Sequence, residues 1–231
     1  FNESEKGFEP IQLNNLIFLN KENINFKLSK KENNIGENFL KNLKISSDDK
    51  LVCLHIRDDS YLQLKFPGKD YSYHSYRDSD YKNFIPAINK LCELGYYVLR
   101  MGEVTKGDFR IHNKRFIDYS KYYRSDFLDI FLPQRCDYYI GTGAGFDTVP
   151  MWVFRKPFLW VNAVPISVPT LNAGNGIYSL KLHFDNKLNK YLNIDEIFKR
   201  ELDSTYNSSK FINNNILLEE NKPEDIKEMA L

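Results

Sequence analysis

The chain has 231 residues, and 42% of them are hydrophobic, enough to build one large domain with a sizeable core. Its 32 basic and 31 acidic residues nearly cancel, so no global field attracts nucleic acid or an anionic membrane, and any anion site must be local. No apolar run approaches the ~18 residues needed to span a bilayer and no signal peptide opens the chain, which predicts a cytoplasmic protein with room for peripheral attachment at the inner membrane face.

Residues 1–25 mix Asn, Glu and Lys around one apolar patch, Leu16-Ile17-Phe18-Leu19, which reads as an edge strand or the remainder of a preceding domain. Ile35, Phe39, Leu40 and Leu43 recur at helical spacing behind Ser29, a suitable cap, and predict a helix over 29–43. Leu51 to Ile56 is a continuous apolar run that turns polar at Arg57-Asp58-Asp59, as a buried parallel strand does at a ligand-bearing edge. A long aromatic loop over 60–79 follows, then a helix over 80–94 and a strand over 96–101 that runs into Gly102-Glu103. Phe116 to Tyr119 reads as a short strand, and Ser125-Asp126 as the capped start of a helix ending at Arg135. Asp137 to Ile140 is a strand that breaks into Gly141-Thr142-Gly143-Ala144-Gly145 and restarts as a helix over 146–154; Phe158 to Asn162 is a last buried strand. Residues 163–193, with Pro165, Pro169, Gly174 and Gly176, read as irregular. A short helix over 194–202, an edge strand over 213–219 and a helix opened by Pro223 complete the chain.

Strands alternating with helices predict an α/β fold, a Rossmann-like and mostly parallel sheet flanked by helices. The organisation read from this is an amino-terminal segment, 1–45, as the remainder of an acceptor domain, and a catalytic, nucleotide-sugar-binding domain over 46–231. Phe1 in place of an initiator methionine and the ending Lys-Glu-Met-Ala-Leu predict a piece of a longer polypeptide. Cys53, Cys92 and Cys136 stand singly in apolar surroundings, without metal-ligand spacing, and predict buried free thiols.

Chemistry concentrates at two strand ends. A strand that stops in glycines and restarts as a helix aims backbone N–H groups into a crevice, which suits a phosphate, although a tight turn without a ligand would look the same. Arg57 at the neighbouring strand end would clamp phosphate oxygens, or else pair with Asp58 or Asp59. His55 fits a general base, a phosphate donor or a buried imidazole holding the loop through a carbonyl. His74, in Tyr73-His74-Ser75-Tyr76-Arg77, fits an acceptor-sugar contact or a base; His112 and His183 read as surface residues. Asp78 and Asp80 invite comparison with carboxylates that hold Mg²⁺ or Mn²⁺ on a nucleotide, but a cap by Asp78 or Ser79 on the following helix accounts for them more simply.

Leu51 to Tyr61, His74 to Arg77, Gly95 to Gly102, Ser125-Asp126 with Asp129, Ile140-Gly141-Thr142 and Glu219 to Met229 resemble, in order, a family of bacterial glycosyltransferases associated with surface polysaccharides. The resemblance covers about 26–229. The element that begins at His55 is also similar to the His-x-Arg-x-x-Asp of the fucosyltransferases. It implies a GT-B fold, a nucleoside-diphosphate sugar as donor and a glycan or lipid-linked acceptor, with no metal or other cofactor. Arg57 would stabilise the leaving diphosphate, with Gly141, Thr142, Gly143, Ala144, Gly145, Arg77, Gly102 and Glu103 around the donor. Asp59 and His74, ahead of His55, Asp58 and Glu103, are the candidate bases. Family members usually carry Gly-Thr-Ser-Ser-Gly at the glycine turn; here two hydroxyls are missing and the backbone remains. A metal-dependent GT-A-type enzyme using Asp78 and Asp80, or a non-catalytic module binding a sugar nucleotide or glycan, are the alternatives.

Overall fold

The structure is a computed structural model, and it describes residues 26–167 and 175–231. The strand expected over Leu16 to Leu19, and Pro169 and Gly174, lie outside the described residues. Six strands form one sheet, all parallel: β1 Leu51–His55, β2 Tyr97–Arg100, β3 Phe116–Ile117, β4 Tyr138–Gly141, β5 Phe158–Ala163 and β6 Gly176–Leu180. They lie in the order β3-β2-β1-β4-β5-β6, the doubly wound order of dinucleotide-binding sheets.

The central strands are mostly apolar, up to His55 and Arg100 at the ends of β1 and β2, because both faces are covered. Leu51, Cys53, Leu99, Tyr139 and Phe158 point into one core, with α1 (Lys30–Asn42) and α5 (Leu128–Arg135) over them. Val52, Leu54, Ile56, Val98, Ile140 and Leu159 point into the other, under α3 (Ile85–Glu93) and α8 (Pro223–Met229). Helix α1 begins with a capping box between Ser29 and Glu32 and shares the first core through Leu40, which is fully buried. Ile35 on the same helix is exposed, while Gly36 is buried, and a Cβ there would lie 2.3 Å from the ring of Phe131. The three cysteines are buried free thiols.

Several elements differ from the reading of the sequence. The 60–79 loop holds the short helix α2 (Ser60–Lys65) and a 3₁₀ turn, Ser72–Arg77. The helix expected over 80–94 is a 3₁₀ turn, Tyr81–Phe84, followed by α3, with Pro86 in its first turn. Tyr119 belongs to a short helix, α4 (Tyr119–Tyr122), rather than to β3. The helix expected over 146–154 is a 3₁₀ turn, Gly145–Asp147, and a π-helical turn, Val149–Val153. Residues 163–193 are not irregular among the described residues: they supply β6 and two strands of a small antiparallel sheet. That sheet joins β7 (Leu182–Asp185), β8 (Lys190–Tyr191) and β9 (Ile216–Glu219), with β7 in the middle. Helices α6 (Ile194–Lys199) and α7 (Ser208–Asn213) pack beside it around a third core of Tyr76, Ile197, Leu202, Phe211 and Ile216.

Candidate functional site

In a doubly wound sheet the chain turns one way after one central strand and the other way after its neighbour, and a crevice opens at their carboxyl ends. Here those strands are β1 and β4, with His55 opposite Gly141 in the register. The two segments singled out by sequence therefore meet, and the Arg57 N–H donates to Thr142 Oγ1 at 2.7 Å in a buried bond across the crevice floor.

Arg57 is 8% exposed, and its partner is neither Asp58 nor Asp59 but Asp78, which its Nη1 contacts directly. Burial pushes the guanidinium down and the Asp78 carboxyl up, each against the opposing pull of its partner. Among the described residues the guanidinium bonds through Nη1 alone, to Asp78 and more weakly to the His74 carbonyl at 3.4 Å. Nε and Nη2 make no hydrogen bond among the described residues and can meet an oxyanion, and the charge cannot be lost. Arg77 supplies a second cation: its charge acts on Arg57, His74, Tyr76 and Asp147, and its buried Nε has no hydrogen-bond partner among the described residues. Lys181, which the sequence reading missed, is 5% exposed and donates from Nζ to the Asp78 carbonyl at 2.6 Å.

The glycine turn is arranged differently from the expectation. The amides of Gly143 and Ala144 both donate to Asp147 Oδ2 at 2.9 Å, so the chain's own carboxylate fills the cradle predicted for a phosphate. Tyr139 donates its hydroxyl to Asp147 Oδ1. Burial raises the Asp147 carboxyl to about 6 against these donors. Gly143 adopts φ +90°, and a Cβ there would press on the Trp160 indole at 3.3 Å, so this position requires glycine. The signal for Asp147 was present in the sequence as an acidic residue three places after the residue preceding the turn, where a carboxylate can reach back to accept from that residue's amide, as Asp147 does from Ala144.

His55 is a partly buried imidazole, but it does not hold the loop through a carbonyl: its buried Nδ1 has no hydrogen-bond partner among the described residues and lies 3.9 Å from Asp147 Oδ1. Burial drives its pKa down to about 4. His74 is half-buried, tilted against Tyr73 at 4.0 Å between ring centroids, and burial with the charges of Arg77 and Arg57 lowers it to about 4. Gly102 closes the crevice beside His55, with φ +127° and no room for a Cβ against Thr105.

Other expected residues stand elsewhere. Asp59 accepts from Gln63 Nε2 at 2.6 Å and lies 3.6 Å from Lys106, along α2 rather than over Arg57. Asp58 accepts from the amides of Ser60 and Lys106 and ties together the loops after β1 and β2. Glu103 pairs with Lys65 at 2.5 Å and Arg124 at 3.7 Å in an outer network. Asp80, not Asp78 or Ser79, caps the turn at Tyr81, through the Lys82 amide. Asp78 and Asp80 are thus engaged separately, and the described residues hold no group of three or more His, Cys, Asp or Glu arranged around a metal ion. His183 is buried against the Lys181 carbonyl, whereas His112 is exposed. The fucosyltransferase pattern is incomplete, since its final Asp position is Ser60. No described helix is long and apolar enough to cross a membrane.

No protein-family model matches the chain, and no curated protein does. Among solved structures it is similar to the glycosyl transferase family 9 protein from Veillonella parvula DSM 2008, with a TM-score of 0.52 and 13% identity over 89% of this chain and 52% of that one. It is also similar to the E. coli ADP-heptose LPS heptosyltransferase II, with a TM-score of 0.44 and 12% identity over 67% of this chain and 44% of that one. The chain spans about half the length of these structures. The parallel sheet flanked by helices is thus an α/β fold shared with the family 9 structure, of the GT-B kind.

Proposed function

We propose that the crevice over β1 and β4 binds the diphosphate of a nucleoside-diphosphate sugar and that the protein transfers the sugar to a glycan or lipid-linked acceptor in surface-polysaccharide synthesis. The observation that carries this reading is the gathering of Arg77 and Lys181 around the Arg57–Asp78 pair, with the Arg57 amide bonded across to Thr142 at the end of β4. Glycosyl transfer needs the departing diphosphate stabilised, and a fixed guanidinium does this without reorganising as charge develops. With the Gly143 and Ala144 amides already filled, side-chain cations carry the diphosphate, and residues 46–231 hold the donor. Asp59 stands outside this arrangement, which leaves His55 and His74 as the bases nearest the Arg57 clamp.

Calorimetric titration with GDP, UDP, ADP and CMP and their sugars, in EDTA, tests the reading on the wild type and Arg57→Lys. One nucleotide should bind in EDTA, and the variant should weaken it at least tenfold, about 1.4 kcal/mol, since a lysine keeps the charge but loses the fork. Absence of binding by every nucleotide would sink the proposal. A second reading, a binding module without turnover, is favoured by the Asp147 carboxylate in the glycine turn; nucleotide binding with no sugar released from any donor would select it.

A further inference from the structure

Asp147 has four acceptor positions, and three are filled, by Tyr139 on Oδ1 and by the Gly143 and Ala144 amides on Oδ2. The one left is on Oδ1, which lies 3.9 Å from His55 Nδ1, a buried nitrogen with no hydrogen-bond partner among the described residues. A shift of about 1 Å would make a hydrogen bond of ordinary length. Packing confines the ring: Phe146 lies 5.2 Å from it between centroids, and the Gly102 backbone passes beside it, where an added Cβ would sit in ordinary contact 3.5 Å from Nε2.

We propose that Asp147 is a positioning residue that accepts the Nδ1–H of His55, fixing that tautomer so that the Nε2 lone pair serves as the general base at the strand edge. The chemical part rests on the transferase reading; the pair itself does not. In the transfer step the acceptor oxygen bonds to the anomeric carbon while the bond from that carbon to the diphosphate oxygen breaks, and its electron pair leaves with the diphosphate. The acceptor's proton passes to His55 Nε2, and the imidazolium so formed is held through Nδ1–H by the Asp147 carboxylate. The groups facing the pair are Asp58, Arg57 and Arg100 around His55, and Tyr139 and Arg77 around Asp147. At neutral pH the carboxyl, raised to about 6, is ionised, and the imidazole, lowered to about 4, is neutral, the states a base pair needs.

The test is the tautomer of His55 by long-range ¹⁵N–¹H correlation in the intact wild-type chain at pH 7.5, without ligand. An Nδ1–H imidazole supports the pair; an Nε2–H imidazole overturns it, and this needs no variant to fold. With a donor that turns over, Asp147→Asn should lower kcat about 100-fold or more while the donor KM stays put, and unchanged kcat would overturn the positioning role. An Nδ1–H tautomer without turnover of any donor would keep the pair and remove its role as a base together with the transferase reading.

Discussion

Asp147 and His55 pull the acid stability of the protein in opposite directions. The Asp147 carboxyl, raised from 3.8 to about 6, keeps its proton in the native state where the unfolded chain has lost it. Its contribution to stability therefore falls as pH rises from about 4 to about 6. The His55 ring, lowered from 6.5 to about 4, is neutral in the native state where the unfolded chain binds a proton. Its contribution rises with pH between about 4 and 6.5, each effect having a limiting slope of about 1.4 kcal/mol per pH unit. Urea denaturation should show the difference between wild type and Asp147→Asn falling over this window and the difference from His55→Gln rising; two flat differences would refute the burial of both groups. Arg57 was legible in the sequence because a strand end announces itself by a change from apolar to charged residues. Its partner Asp78 was not, because only the fold brings a residue 21 positions away onto it.

The helices and central strands were legible where one periodicity ran for several residues, as in Leu51 to His55 and Lys30 to Asn42. What escaped were elements whose pattern comes from a neighbour. β6 and β7 lack a long apolar run because each has an open face, with Ile177 and Leu182 exposed. The segment after the glycine turn coils as 3₁₀ and π turns rather than as an α-helix, with Asp147 bent back onto the Gly143 and Ala144 amides and Pro150 unable to donate. Gly36 gives an element-scale test. Alanine is the better helix former by about 1 kcal/mol, but its Cβ would drive into the buried ring of Phe131 on α5, and overpacking costs about 1–3 kcal/mol. Gly36→Ala should lose up to about 2 kcal/mol of stability by denaturation, and a gain would show that α1 does not sit tightly on α5.

At the scale of the molecule, two large cores sandwich the parallel sheet and a small third one holds the β7-β8-β9 sheet beside it. Opening free energy follows local burial, so native-state hydrogen exchange should find the amides of β7 and β9 opening at lower free energy than those of β1 and β4; equal protection would mean a single cooperative unit. The sheet's class was legible from the alternation of strands and helices. Its strand order was not, since nothing local says that β4 lies beside β1. That adjacency is what brings Arg57 to the glycine turn. The last helix, α8, lies back over the face of the first strands, with Ile226 buried among Val52, Leu54 and Ile88 and the Tyr138 hydroxyl bonded to the Ala230 carbonyl at 2.8 Å. A ribosome makes that lid well after the strands it covers. Until Ile226 has emerged from the exit tunnel, the apolar side of β1 and α3 stays wet, so the nascent chain carries a sticky, half-covered sheet in the interval.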